Sequence, residues 1–209
     1  MNAPSQTLAG SLNLPQPYLL FLGDVAEPSF AKTAFGLAHW ASDRCVGELA
    51  IGGSALSVGL TPMTPAEAVA AGGKALVIGV ANSGGVIPES WQATLVEALD
   101  AGLDIVSGLH VRLGAIPAIA EAARRNGRRL IDVRTPPAGI PVGTGRKRSG
   151  KRLLAVGTDC AVGKKYTALA IHRAMAERGI DADFRATGQT GIMIAGGGIP
   201  MDAVISDFE

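Results

Sequence analysis

The sequence predicts an α/β protein built on a mostly parallel sheet and continued by a second α/β unit. Three observations predict it. Apolar runs rich in Val, Ile and Leu recur at residues 18–22, 46–51, 75–80, 104–107 and 129–133, separated by stretches of helix length. This is the pattern of β-α-β units whose strands are covered on both faces. The intervening stretches carry helix start and stop signals. A sixth apolar run, residues 153–156, leads through a glycine- and lysine-bearing loop into another helical stretch. Together these give a Rossmann-like parallel-sheet N-terminal domain followed by a truncated P-loop α/β domain.

Residues 1–16 are small, polar and Pro-containing and read as a loose leader; the first domain then runs over residues 17–135. Its first strand is followed by Gly23-Asp24-Val25-Ala26-Glu27 instead of Gly-x-Gly-x-x-Gly, which argues against a nicotinamide-dependent oxidoreductase. Lys32 and Trp40 fall in the early helix. Thr64-Pro65-Ala66-Glu67 offers an N-cap hydroxyl, a Pro at the first helical position and a Glu that completes a capping box. Ala81-Asn82-Ser83-Gly84-Gly85 joins a strand to a helix and reads equally as a receptacle for an anion or as a tight turn. The helix opened by Pro88-Glu89 places Trp91, Leu95, Ala98 and Leu99 on one face. His110, just past strand 104–107, is the best acid-base candidate among the histidines, against a structural role, while His39 and His172 on helices read as surface or packing residues. Helix 116–126 ends before Gly127, a C-terminal cap.

Residues 136–151 crowd Pro and Gly and then Arg146, Lys147, Arg148 and Lys151, a solvated linker. Residues 152–209 read as the first part of a P-loop domain: strand 153–156, helix 163–177, strand 182–186, a polar turn and a helix start at 201. A P-loop domain needs further parallel strands to close its core, so this stretch is expected to be incomplete.

Composition narrows the function classes. With 47% hydrophobic and 18% charged residues the chain is globular and not disordered, and a net charge of +1 provides no general attraction for nucleic acid or an acidic membrane surface. Small-molecule partners are expected. No apolar run reaches the roughly 20 residues of a membrane span, and the start lacks a signal-peptide pattern. Cys45 and Cys160 have neither disulfide nor metal-ligand spacing, so a reducing, cytoplasmic setting and no bound metal are expected.

The chemistry is concentrated in Gly157, Thr158, Asp159, Cys160, Ala161, Val162, Gly163, Lys164 and Lys165. A strand, a glycine-flanked loop, a lysine and a helix in that order form a phosphate cradle. The glycines let successive N–H groups face an anion, the helix adds the positive end of its dipole, and Lys164 supplies a mobile charge. The plain alternative is a ligand-free turn, and Cys160 reads as a small filler more readily than as a redox thiol. Five residues, not four, separate Gly157 from Gly163. That spacing, with the Gly-Thr-Asp opening, resembles dethiobiotin synthetase and its relatives. The Ser or Thr that normally binds magnesium after the loop lysine is replaced by Lys165, and Thr167 lies roughly 200° further around the helix. Magnesium-assisted cleavage of a triphosphate is therefore disfavoured, whereas binding a pyrophosphate remains open. Thr187, Gly188, Gln189 and Thr190, after strand 182–186, are expected beside the loop at the ligand-binding edge.

The run from Gly157 to Phe208, together with Lys32-Thr33-Ala34, Cys45-Val46-Gly47 and Asp132-Val133-Arg134, resembles a bacterial and archaeal family catalogued as a domain of unknown function. Its members pair a Rossmann-like N-terminal domain with a P-loop C-terminal domain, and some are D-glutamate N-acetyltransferases of the DgcN type. Lys165-Tyr166 stands where that family usually has a Met or similar residue followed by Thr. The resemblance implies transfer of acetyl from acetyl-CoA to the amino group of a D-amino acid, with the loop on the coenzyme's phosphates and residues 187–190 near the substrate. It assigns no catalytic base. Two readings compete: an ATP- and magnesium-dependent ligase or kinase, with Asp159 replacing the missing metal ligand, and a non-catalytic ligand-binding fragment. Unpaired sheet edges in such a fragment would favour self-association into a homo-oligomer.

Overall fold

The computed structural model describes residues 12–135, 145–146, 149–159 and 162–200. Among the described residues, seven strands form two sheets: β1 (Leu12–Asn13), β2 (Tyr18–Gly23), β3 (Cys45–Ala50), β4 (Ala75–Ile78), β5 (Asp104–Ser107), β6 (Leu130–Asp132) and β7 (Gly197–Gly198). The five expected strands of the first unit, β2 to β6, are all present and within two or three residues of the predicted limits. They form one parallel sheet in the order β3-β2-β4-β5-β6. The chain therefore reverses its direction of travel between β2 and β4, which is where open α/β sheets carry ligands at their carboxyl edge.

Strand geometry divides the side chains between two faces. Leu19 and Phe21 of β2, Leu76 and Ile78 of β4 and Ile105 of β5 point to one side. There they meet α3 (Glu89–Ala101) through Trp91, Leu95, Ala98 and Leu99, the face expected from the spacing, and α4 (Pro117–Asn126) through Ile119 and Ala122. The Phe21 and Trp91 rings meet edge to face at 5.4 Å. Between β3 and β4 the short α2 (Pro65–Ala70) starts with the predicted capping box, Thr64 and Glu67 exchanging side-chain-to-backbone hydrogen bonds.

Tyr18, Leu20, Leu22, Val77 and Val106 point the other way, onto α1 (Lys32–Trp40) and onto a helix of the second unit. That unit contributes α5 (Lys164–Glu177) and α6 (Gln189–Ala195), and Leu169, Ile192, Met193 and Ile194 are buried with the sheet residues in one continuous core. Residues 145–146 and 149–152, at the edge of the expected linker, are exposed; the rest of the linker and the helix start expected at 201 lie outside the described residues.

Four expectations are corrected. The leader is ordered from Leu12: β1 pairs antiparallel with β7, the Leu14 N–H donates to the Gly196 carbonyl at 2.9 Å, and Leu14 is buried. Residues 153–156 and 182–186, read as strands, join no ladder; Leu153, Leu154 and Val156 are 63%, 81% and 78% exposed. A parallel strand is held by a ladder of neighbours; among the described residues none pairs with 153–156, and 182–186 takes only a single backbone bond, from the Ile199 N–H to the Ala186 carbonyl at 3.2 Å. The turn expected after Ala186 becomes helical at Gln189, since burying Ile192, Met193 and Ile194 outweighs the poor helix propensity of a glycine-rich run. Among the described residues no helix is long and apolar enough to cross a membrane.

Candidate functional site

Residues 157–159 and 162–163 precede α5, which begins at Lys164. Gly163, at φ 94°, adopts the left-handed conformation that turns the chain into the helix, and as the N-cap residue it brings no side chain to the first N–H groups of α5. Those donors and the helix dipole remain available to an anion. The loop is tight: a Cβ on Gly157 would lie 2.8 Å from Val162 Cγ2 and 3.1 Å from Lys164 Cδ. Lys164 folds back over the loop, its Nζ donating to the Asp159 carbonyl. Thr158, Asp159 and Val162 are exposed. Cys160 and Ala161 lie outside the described residues.

Lys165 does not join the cradle. Its aliphatic stem packs 3.9 Å from where a Cβ of Gly191 would sit, and its Nζ lies 4.3 Å from the centre of the Tyr166 ring. Burial pushes its pKa down to about 8. The position that commonly carries a magnesium-binding hydroxyl is thus filled by a partly buried amine. Among the described residues, no three His, Cys, Asp or Glu side chains gather as a metal site.

Thr187 is exposed and Gly188 is the N-cap of α6. Thr190 Oγ1 shares a 3.1 Å hydrogen bond with Thr33 Oγ1 on the first turn of α1. The stem of Gln189 lies against Gly108, just past β5, where a Cβ would be 3.2 Å from Gln189 Cγ. The turn of the second unit thereby meets the carboxyl edge of the first unit's sheet. Lys165 packs on the first turns of α6 at Gly191, which brings the start of α5 beside residues 187–190.

The other expected candidates sort differently. Asn82 closes a turn: its side chain donates to the Val86 carbonyl at 3.0 Å and accepts from the Val86 N–H at 3.1 Å. His110 is exposed and its backbone N–H donates to the Gly85 carbonyl at 2.9 Å. His172 lies 3.2 Å from the Ala182 carbonyl, and His39 is a surface neighbour of Trp40. Lys32, the first residue of α1, is exposed.

Several positions escape sequence reasoning. Asp24 accepts from Trp91 Nε1 at 2.7 Å and Ser90 Oγ at 2.9 Å; these bonds, that of Trp91 foremost, hold its carboxyl below the ordinary range. Trp40 stacks on Tyr166 at 6.1 Å, and the Arg173 guanidinium lies 4.2 Å from the centre of the Trp40 ring, joining α1 to α5. Arg134 donates from Nε to the Gly108 carbonyl at 2.9 Å. Pairs this far apart in sequence leave no local periodic signal. An open groove along β6, lined by Leu12, Arg112, Arg129 and Asp132, shares no residue with the loop or with residues 187–190.

With a parallel sheet and a glycine-flanked lysine loop established, comparison with known proteins decides the family. The Rossmann-like domain of unknown function DUF1611_N matches residues 50–136, and the P-loop domain of unknown function DUF1611_C matches residues 141–209. The chain belongs to the DUF1611 family. The crystal structure of a DUF1611 family protein from Anabaena variabilis superposes with a TM-score of 0.75 at 34% identity, covering 92% of this chain and 59% of that one. A protein named D-glutamate N-acetyltransferase from Tritonibacter scottomollicae is 55% identical over 192 residues, and one of the same name from Pseudoalteromonas sp is 46% identical over 197. This DUF1611 chain spans 58% and 59% of the length of those two relatives.

Proposed function

We propose that the chain is the part of an acetyl-CoA-dependent N-acetyltransferase that binds the coenzyme's phosphates and helps seat a D-amino acid, D-glutamate by similarity to the named relatives. The observation that supports the reading is the left-handed turn at Gly163 into α5 with Lys164 folded back over the loop ahead of it, which would offer an anion the helix N-terminus and a mobile charge, while an amine occupies the usual magnesium-ligand position. Such a site suits a diphosphate that is held but not cleaved. The reaction forms an amide C–N bond and breaks the thioester C–S bond. The acceptor ammonium must lose a proton before attack, and the departing sulfur takes one up. The loop's role is binding and orientation, which contributes by fixing the distance between the two reactants. A cytoplasmic setting with small-molecule partners is part of this reading.

Calorimetric titration with acetyl-CoA tests it. We expect binding that needs no magnesium, and a roughly tenfold to hundredfold loss in Lys164→Ala, the equivalent of ~1.5–3 kcal/mol for a charged hydrogen-bonding partner. The Gly-Thr-Asp opening favours one rival, an ATP-dependent ligase or kinase. Binding of ATP that vanishes with EDTA, without binding of acetyl-CoA, would establish that rival instead.

A further inference from the structure

The motif Asp132-Val133-Arg134 is only partly explained by folding. Asp132 Oδ1 accepts from the Leu113 N–H at 3.1 Å, and the Val133 N–H extends the β5–β6 ladder to the Ser107 carbonyl at 2.9 Å. Arg134 then leaves the sheet and turns back along the carboxyl edge. Its Nε bonds to the carbonyl of Gly108, the residue on which Gln189 packs. Three segments from distant parts of the sequence thus meet: the exit of β5, the exit of β6 and the first turn of α6. They meet at the edge where parallel sheets carry their ligands.

A guanidinium fixed through Nε keeps the two terminal nitrogens as a planar fork, the geometry that matches a carboxylate with two parallel hydrogen bonds. Arg134 is half-buried, which strengthens such a pair relative to one in open solvent. Gln189 adds an amide within the same corner, and Thr190 is locked by Thr33, which fixes the turn that carries Gln189. Resting on the acetyltransferase reading, we infer that Arg134 is a specificity-determining residue that takes a carboxylate of the acceptor amino acid, with Gln189 beside it.

The test is calorimetric titration of the whole chain with D-glutamate and, separately, with acetyl-CoA, for the native protein, Arg134→Gln and Arg134→Lys. The expected result is at least a tenfold loss of D-glutamate affinity in Arg134→Gln and a smaller loss in Arg134→Lys, with acetyl-CoA affinity unchanged and a cooperative thermal transition retained, lowered slightly in both variants by the lost bond to Gly108. Equal D-glutamate affinity in Arg134→Gln and the native protein overturns the inference. So does a parallel loss of both ligands and of the thermal transition, which marks a purely structural arginine. A native protein that binds acetyl-CoA but not D-glutamate overturns the carboxylate site and leaves the coenzyme reading standing. One that binds D-glutamate alone, with the loss in Arg134→Gln, supports the carboxylate site while the coenzyme reading falls; binding of neither ligand overturns both.

Discussion

Lys165 is the residue at which local chemistry and folding oppose one another most clearly. Its amine is partly buried between α6 and the Tyr166 ring, and burial lowers its pKa from 10.5 to about 8. The unfolded chain holds that proton more tightly, so a protonated Lys165 disfavours folding. The penalty is fully present below pH 8 and is relieved as pH rises from about 8 towards 10.5. Lys165→Met is therefore expected to raise the thermal midpoint at pH 7, with the difference from the native protein shrinking above pH 8. An unchanged midpoint at pH 7, or a gap that widens with pH, would show that the ring face compensates the buried charge in full. Glu48 shows the opposite balance. It is buried in β3, but its Oε2 accepts from the Val58 and Leu60 N–H groups at 2.8 and 3.2 Å, organising the crossing from β3 to α2. Nothing in the local sequence distinguishes Glu48 from a surface glutamate, because its partners lie ten and twelve residues away across a loop.

Single elements were legible wherever their determinants are local. The caps of α2 and α4, the apolar face of α3 and the continuous apolar run of β2 rest on neighbours within a few residues, and all were readable. The exposed capping box gives a simple check. Thr64→Ala removes an acceptor for the Glu67 N–H, and the cost is expected to be ~1 kcal/mol, read as a lower denaturant midpoint with an unchanged slope. No shift would mean that water replaces the hydroxyl fully. Elements whose form depends on partners were not legible. Residues 153–156 have strand-like composition but, among the described residues, no neighbouring strand, and residues 187–191, which read as a polar turn, lead into a helix with a core to cover. Of the candidate site, the lysine-bearing loop before α5 stands out as a contiguous motif, and it falls within the P-loop domain match. Arg134 with Gly108, Thr33 with Thr190 and Trp40 with Tyr166 were not, since each joins residues from separate elements.

At the scale of the whole molecule the two units are not beads on a string. Leu20, Val77 and Val106 of the sheet share one core with Leu169, Met193 and Ile194 of the second unit, so loosening either exposes the other. The Trp40–Tyr166 stack lies two residues beyond Lys164, which makes it an optical reporter of the loop. Trp91, the other tryptophan, is fully buried under the sheet. Acetyl-CoA binding is therefore expected to change the emission of the native protein and not that of Trp40→Phe. A signal that survives in Trp40→Phe would uncouple the loop from α1.

The pairing of β1 with β7 also sets an order in time. The five strands of the parallel sheet lie between residues 18 and 132, so that sheet can assemble while the chain is still being synthesised. Leu12 and Asn13 cannot close onto Gly198 and Gly197 until almost two hundred residues have left the ribosome. Residues 12–13 thus wait for a partner that is made well after the sheet strands between residues 18 and 132, and this small pairing latches the two units together late in folding.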